Sequence, residues 1–185
     1  MSILLLVGPS GVGKTTACQR IVEQARSQGL TVAGILSIPV YDGQVKSAIN
    51  LHDITSGRER TLARVAPPGI VTDVGVWSFE PETILWGQDL LRSLPACDLL
   101  VIDEIGPLEI KMGKGLTNAL AALTRSNFRQ AVVSLRPLLI EMLLKLLPSR
   151  SFSIYWLDED NRDTIPGSTI VKLEKVDWRA MIYVN

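Results

Sequence analysis

The sequence predicts an α/β fold in which a mostly parallel sheet carries helices on both faces. The first reason is that short apolar runs alternate along the 185 residues with segments of helical spacing, which implies strands joined by right-handed crossovers. The second is the stretch GPSGVGKT at 8–15, which follows the apolar run ILLLV and meets the phosphate-loop pattern G-x-x-x-x-G-K-[ST]. At this length we expect a single domain over 1–185.

The first elements surround this loop and lead into an antiparallel region. A strand is predicted at 3–7, and a helix over 14–29 is ended by its last glycine. Turn signals, Asp-Gly at 42–43 and Ser-Gly at 56–57, then divide a stretch rich in Val, Ile and Leu. This pattern predicts a three-stranded antiparallel excursion, which APPG at 66–69 closes.

The rest of the chain continues the alternation of helices and strands. Helices are predicted at 81–93, 116–123 and 137–147, and strands at 97–104, 130–135, 151–157 and, as a short edge strand, 168–176. The helix PLLIEMLLKLL is apolar nearly all round, which favours burial between the sheet and a neighbouring element over a partner or membrane surface. A ligand of such a sheet belongs outside the carboxyl ends of its strands.

Composition narrows the functional classes. The 19 Lys and Arg residues balance the 19 Asp and Glu residues, so no basic field for nucleic acid is present. No apolar stretch approaches the length of a membrane helix, and the start MSILLLVGPS lacks the positive segment of a signal peptide, so we expect a soluble, cytoplasmic protein. Cys18 and Cys97 lack metal-site spacing and are expected to be reduced. Any protein partner stays unknown.

The phosphate loop carries the strongest chemical signal. Its glycines let the backbone turn tightly and aim N–H groups inward, and the following helix adds its positive end, so the loop suits a polyphosphate. Lys14 is a candidate catalytic residue that reaches the β- and γ-phosphates, and the Thr15 hydroxyl is a candidate ligand of Mg²⁺. The candidate nucleotide-binding residues of the loop are Gly8, Pro9, Ser10, Gly11, Val12, Gly13, Lys14, Thr15 and Thr16.

Two carboxylates end the predicted strand LLVIDE. In P-loop proteins, an aspartate at the end of a buried strand holds the magnesium shell, so Asp103 is a candidate metal ligand. Glu104 is then the candidate catalytic base that orients or deprotonates an attacking water. The alternative is that both are solvated loop residues, and the upstream phosphate loop favours the functional interpretation.

The order of these motifs resembles a known family. GPSGVGKTT, the hairpin region ending in SGRERTLARV, CDLLVIDEIGPLEI and WLDEDNRDTIP follow one another as in the small P-loop nucleoside-triphosphatases, the thermophile-type and human cancer-related nucleoside-triphosphatase family. The resemblance covers roughly residues 3–170. It implies the additional-strand class of P-loop fold and Mg²⁺-dependent hydrolysis of ATP, GTP and other nucleoside triphosphates to diphosphate and phosphate, with little base selectivity.

Two stretches depart from the family's pattern. The hairpin has QVKSAINLH where the family usually has an arginine-rich RRxGFD stretch, so nucleotide contacts there are in question. The usual DEIGKME is here DEIGPLE, which loses a positive charge near the site but keeps Glu104 and Glu109. We expect Glu109 either to orient the Glu104 segment or to cap a nearby backbone N–H.

Further candidates follow from the resemblance. Ser134 ends a strand that would lie between the phosphate-loop strand and the VIDE strand, where it is either a γ-phosphate sensor or an ordinary strand-end serine. Arg136 is a candidate internal arginine finger, with a surface arginine as the alternative. Asn161 and Arg162 follow the last strand, where P-loop folds place the base or ribose, and are candidate nucleotide contacts.

Two other functions stay open on the same fold. One is a nucleotide-dependent phosphotransferase, which usually needs an arginine-rich lid that this sequence does not display. The other is a slow nucleotide-gated binding module that works through a partner, because intrinsic hydrolysis in P-loop switches can be as slow as about 10⁻⁴ s⁻¹. Hydrolysis is the favoured prediction because Glu104 supplies a base.

Overall fold

The computed structural model describes residues 1–70, 72, 75–125 and 127–162, and eight strands in this part of the chain form one sheet. The strands are β1 Ser2–Val7, β2 Val32–Asp42, β3 Val45–Asp53, β4 Glu59–Val65, β5 Trp77–Phe79, β6 Cys97–Ile105, β7 Phe128–Leu135 and β8 Ser151–Trp156. The helices are α1 Lys14–Ser27, α2 Pro81–Arg92, α3 Pro107–Lys111, α4 Asn118–Thr124 and α5 Ile140–Leu146, and a 3₁₀ turn covers Pro137–Leu139.

The sheet has a parallel half and an antiparallel half. Its strand order is β5-β4-β3-β2-β6-β7-β1-β8, and β2, β6, β7, β1 and β8 pair in parallel. The other pairs, β2 with β3, β3 with β4 and β4 with β5, are antiparallel. The predicted fold class is confirmed, and β7 lies between β1 and β6 as the additional-strand class requires.

Strand β1 shows why helices cover both faces of the parallel half. Its alternate side chains point to opposite faces, and those from Ile3 to Val7 are almost wholly buried. Ile3, Leu5 and Val7 belong to the core cluster that also contains residues of α2, α4 and α5. Leu4 and Leu6 belong to the cluster on the other face, which contains the apolar side of α1. The strand that carries the phosphate loop is therefore fixed from both sides.

Three elements differ from the prediction. A fourth antiparallel strand, β5, and the short helix α3 were not expected from the sequence. The helix predicted over 137–147 splits into the 3₁₀ turn and α5, and it covers the sheet with one face only. Leu143 is wholly buried, whereas Leu138 is 87% and Leu146 50% exposed, so the prediction that this segment is buried between the sheet and a neighbouring element is wrong.

Two further predictions concern membranes and the end of the chain. In the described ranges, no helix combines the length and the apolar character that a membrane crossing requires. The edge strand predicted at 168–176 lies outside the described residues.

Candidate active site

Two glycines show why the phosphate loop needs its sequence. Gly13 precedes α1 with a φ of 105°, a left-handed conformation that side chains disfavour. Gly8 has no room for a side chain, because a Cβ atom there would lie 2.8 Å from the Leu157 carbonyl oxygen and 2.8 Å from Val12 Cγ1. The phosphate loop therefore packs closely against Leu157, just after β8. Its last glycine leads directly into the N-terminus of α1.

A cavity of about 360 Å³ lies along this loop. It brings several predicted residues together from three parts of the sequence. The predicted site residues that line it are Ser10, Gly11, Gly13, Lys14, Thr15, Thr16, Glu104 and Arg162. Pro39, Tyr41 and Lys46 of the antiparallel hairpin complete the lining. Gly8, Pro9 and Val12 support the loop from outside this lining, and Pro9 and Val12 border an adjacent cavity with Leu157.

Lys14 is held against the loop. Its ammonium group donates hydrogen bonds to the carbonyl oxygens of Gly8, at 3.0 Å, and Pro9, at 2.7 Å. Only 6% of the residue is exposed, and this burial lowers the pKa of Lys14, while the carboxylates of Glu104 and Asp103 act in the opposite direction. The residue therefore presents a cation in a partly desolvated position, where its attraction to a phosphate is strong.

Asp103 is the most buried carboxylate of the site, with 1% of the residue exposed. The Ser134 hydroxyl donates to its Oδ1, and the Ser37 N–H donates to its Oδ2 at 3.3 Å. Burial raises the pKa of Asp103, and hydrogen bonds from the Ser134 and Thr15 hydroxyls oppose that shift. The Ser134 hydroxyl thus contacts the candidate metal ligand Asp103, and its role as a γ-phosphate sensor or as an ordinary strand-end serine stays a prediction.

The side-chain oxygens of Thr15 and Asp103 are suitable ligands for a small divalent cation. Thr15 Oγ1 donates to the Ser37 carbonyl oxygen at 3.5 Å, and the Ser37 N–H donates to Asp103 Oδ2 at 3.3 Å, so Ser37 contacts both residues. Their hydroxyl and carboxylate oxygens are hard ligands that Mg²⁺ accepts. Mg²⁺ commonly uses one or two protein oxygens and takes its other ligands from water and substrate phosphates, so this small donor set suffices. Among the residues described, no group of three or more His, Cys, Asp or Glu side chains forms a separate metal site.

Glu104 and Arg136 form an ion pair at the ends of neighbouring strands. Arg136 Nε lies 2.9 Å from Glu104 Oε1, and Glu104 also lines the phosphate-loop cavity. The two side chains are 27% and 43% exposed for Glu104 and Arg136, respectively. A carboxylate and a guanidinium are therefore held together where β6 and β7 end.

Glu109 holds the segment after Glu104, as predicted. One carboxylate oxygen accepts the Gly106 N–H at 2.9 Å, and the other accepts the Leu116 N–H at 2.9 Å. Burial raises the pKa of Glu109, while its backbone hydrogen bonds act against that shift. The expected capping role is confirmed.

Asn161 and Arg162 lie in the turn after β8, beside the loop. The Asn161 amide oxygen accepts the Asp158 N–H at 3.0 Å, and its amide nitrogen donates to the Trp156 carbonyl at 2.9 Å. Arg162 lines the cavity, and its Cδ lies 3.4 Å from where a Cβ on Gly13 would be. The structure thus uses the Asn161 amide within the turn and lays Arg162 along the phosphate loop.

Sequence reasoning missed Ser37 and Lys46. The Ser37 hydroxyl donates to the Asp103 carbonyl oxygen at 2.6 Å, and its N–H reaches the carboxylate. Lys46 lines the cavity from β3, 5.0 Å from the centroid of the Trp77 ring. Ser37 follows the parallel pairing of β2 with β6, so the strand-end argument that found Asp103 could have found it. The hairpin register that places Lys46 carries no such signal.

The cavity occupies the carboxyl ends of the parallel strands, where open α/β sheets bind their ligands, and its loop is the phosphate-binding type. Fold and site together define the class of P-loop nucleoside-triphosphatases. Comparison with known families agrees, because the sequence model of the family described as NTPase matches residues 3–170. The chain belongs to this family.

Similar proteins include two archaeal nucleoside-triphosphatases named THEP1. The chain is 30% identical over 164 residues to the one from Thermofilum pendens, an alignment that covers 88% of this chain and 90% of that protein. It is 32% identical over 166 residues to the one from Archaeoglobus fulgidus, covering 86% and 92% of the two chains.

Two solved structures share the fold. A human cancer-related nucleoside triphosphatase matches with a TM-score of 0.69 at 24% identity, covering 92% of this chain and 96% of that one. THEP1 from Aquifex aeolicus matches with a TM-score of 0.61 at 17% identity, covering 89% and 94%. At these identities the structural likeness concerns the fold.

Proposed function

We propose that this nucleoside-triphosphatase works as a single domain over residues 1–185 in the cytoplasm and hydrolyses nucleoside 5′-triphosphates to diphosphate and phosphate, with Mg²⁺ and with weak base selectivity. The observation that carries the proposal is the position of Glu104. Its carboxylate lines the same cavity as the phosphate loop, so a base and a phosphate site face one space. Water between them has both a proton acceptor and an electrophile within reach.

Binding and orientation come from the loop. Its N–H groups and the N-terminus of α1 attract the phosphates, and Lys14 adds a cation for the β- and γ-phosphates. Thr15 and Asp103 would hold Mg²⁺, with Ser37 and Ser134 fixing the carboxylate through their hydrogen bonds. When bound, Mg²⁺ supplies positive charge against the charge that develops on the phosphate oxygens.

Glu104 acts as the general base on the attacking water. It accepts the water proton while the oxygen attacks the γ-phosphorus, and such a base is worth about 10²- to 10⁴-fold in rate. Arg136, 2.9 Å from Glu104, orients this carboxylate and places its guanidinium beside the transferred phosphoryl group as an internal arginine finger. The ion pair thus joins the base and the stabilising cation in one unit.

Weak base selectivity is supported by the groups near the loop. The Asn161 amide is used inside its own turn, and Arg162 lies along the phosphate loop. The matched relatives are named for nucleoside triphosphates and for no single base. We therefore propose that binding energy comes from the phosphates, with Arg162 in contact with the nucleotide.

The test is phosphate release from ATP, GTP, CTP and UTP, each with Mg²⁺ and with a chelator, by the wild type and by Glu104→Gln. We expect Mg²⁺-dependent release from several triphosphates, and a loss of about 10²-fold or more in the variant with nucleotide binding retained, because an amide cannot accept the proton. Glu141→Gln, on the exposed side of α5, is the matched control. Equal turnover by Glu104→Gln would rule out the base, and release from one nucleotide alone would rule out weak selectivity.

A further inference from the structure

A second cavity, of about 200 Å³, adjoins the phosphate-loop cavity. The two share the residues Ser10, Thr15, Lys46 and Glu104 in their linings, so they meet at the proposed base. Arg136 also lines the second cavity. A molecule there would have one end at Glu104, on the edge of the space that receives the γ-phosphate.

The rest of this second cavity is apolar. Its apolar walls come from β3, β4, β5, α2, α3 and the loop before α4. The apolar side chains that form them are Ile49, Leu62, Trp77, Phe79, Ile84, Pro107, Leu108 and Leu116. Away from the end formed by Lys46, Glu104 and Arg136, Glu109 is the one charged residue among the described residues of the lining, and both of its oxygens accept backbone N–H groups. The walls therefore offer no charged group to a ligand's body.

The second cavity is larger and more apolar than a site for an attacking water molecule has to be. Water attacking a phosphate requires a base and a small polar space, whereas apolar walls favour burying a carbon skeleton. A cavity of about 150 Å³ is enough to bind a benzene ring, so about 200 Å³ takes a ring with a short side arm. At the shared end, Arg136 pairs with Glu104, and the ammonium group of Lys46 lies 5.0 Å from the centroid of the Trp77 ring. These contacts engage the charged groups and favour an uncharged polar group of the ligand there.

We propose that the second cavity binds an uncharged small alcohol with an apolar ring, and that this alcohol accepts the γ-phosphoryl group in place of water. The alcohol oxygen bonds to the γ-phosphorus, and the bond from phosphorus to the β–γ bridging oxygen breaks with its electrons leaving on the diphosphate. The hydroxyl proton passes to Glu104. The products are a phosphate monoester and a nucleoside diphosphate. This inference rests on the proposed function, because it uses the same base and phosphate site.

The first experiment measures binding without turnover. Saturation-transfer NMR with benzyl alcohol as the probe is expected to show contact with the wild type and a large loss of signal in Ile84→Phe, whose longer side chain fills the cavity. Leu85→Phe is the matched control, since Leu85 is the next residue on α2, is 66% exposed and is outside the lining. If Ile84→Phe does not fold, Phe79→Ala, at another wall, is expected to weaken the same signal.

The second experiment measures transfer. Phosphorus NMR follows MgATP with the wild type and equal concentrations of benzyl alcohol or methanol, and the ratio of monoester to inorganic phosphate is read in each tube. We expect a ratio at least about tenfold higher with benzyl alcohol, because burying the ring favours its binding by that factor or more. Ile84→Phe is expected to remove this preference, and Leu85→Phe to keep it.

The outcomes separate this inference from the function on which it rests. Phosphate release without any monoester, or a monoester yield that is equal for both alcohols, overturns the acceptor cavity and leaves the hydrolase intact. Benzyl alcohol contact that Ile84→Phe does not reduce also overturns it. Absence of phosphate release and of monoester overturns the proposed function itself.

Discussion

The parallel and antiparallel halves of the sheet contribute different things to one site. From the parallel half come the phosphate loop after β1, the Asp103-Glu104 pair on β6 and Arg136 after β7. From the antiparallel half come Lys46, with Trp77 beneath it, and the side chains of Ile49, Leu62 and Phe79 on the apolar wall of the second cavity. We therefore propose that the parallel half carries the reaction chemistry and that the antiparallel half contributes much of the surroundings of the proposed acceptor.

The burial of the strands explains this division. Every residue from Ile3 to Val7 in β1 is buried, because helices cover both faces of a parallel sheet. Strand β3 mixes buried and partly exposed residues, which leaves its outward side chains free to vary without loss of the core. We infer that the parallel half sets what reaction occurs and that the antiparallel half sets how well a particular substrate is accepted.

The largest expected effect is on Lys14, at the centre of the parallel half. Lys14→Ala removes the cation that we propose binds the β- and γ-phosphates, so we expect losses of both nucleotide affinity and turnover, with kcat/KM falling at least about 10²- to 10³-fold. Nucleotide binding by calorimetry and phosphate release measure the two losses. Lys145→Ala, an exposed lysine on α5, controls for loss of charge, and unchanged affinity in Lys14→Ala would contradict the assignment.

The next largest effect is expected at Asp103. Because this carboxylate is buried, its replacement by an uncharged amide is expected to lower activity but to raise stability. Asp103→Asn removes a charged candidate metal ligand, so we expect about a 10²-fold loss of turnover in MgATP. The metal-free variant should nevertheless unfold at a higher urea concentration than the wild type at neutral pH, because it no longer buries a carboxylate.

The extra stability expected of Asp103→Asn over the wild type should depend on pH. Burial raises the pKa of Asp103 in the folded chain above its ordinary 3.8, so the folded state binds more protons than the unfolded state in that range. The wild type therefore loses stability as pH rises from about 3.8 through the folded pKa, and Asp103→Asn lacks this loss. Urea unfolding with a chelator, below and above this range, should show the variant's advantage only at the higher pH.

Lys46 tests the antiparallel half. Lys46→Met keeps much of the side chain's apolar stem but removes its charge from the cavity, and we expect kcat/KM to fall about tenfold, far less than for Lys14→Ala. Kinetics of phosphate release measure the change, with Lys111→Met, at an exposed position, as control. A fall as large as that of Lys14→Ala would place essential chemistry in the antiparallel half and break the division.

The sequence predicted the parallel half better than the antiparallel half, for a physical reason. A phosphate loop and carboxylates at strand ends can be recognised from short stretches of sequence. The loop pattern and the end of an apolar run suffice to place Lys14 and Asp103 together at the carboxyl ends of the parallel strands. Strand β5 is three residues long and exists through its pairing with β4, which local sequence does not encode. The position of Lys46 depends on the hairpin register in the same way.

The smallest expected effect of a substitution is at Asp98, which lies at the other end of the parallel strands from the phosphate loop. One of its carboxylate oxygens accepts the Thr31 N–H at 3.0 Å and the Thr31 hydroxyl at 2.7 Å, and Arg129 Nη1 lies 3.1 Å from the other. The Thr31 hydrogen bonds, and then Arg129, lower the pKa of Asp98 from 3.8 to about 2. These contacts join the start of β2 to β6 and β7, far along the strands from the phosphate loop.

Asp98→Asn should therefore reduce stability slightly and leave phosphate release unchanged. Because the folded pKa is depressed, the wild type's advantage is present above pH 3.8 and is lost as pH falls through about 2. Urea unfolding of both proteins at neutral and acid pH checks the sign, and the two curves should converge in acid. A fall in turnover without a loss of stability would contradict this prediction. It would show that the amino ends of the parallel strands, where Asp98 lies, influence the reaction at their carboxyl ends.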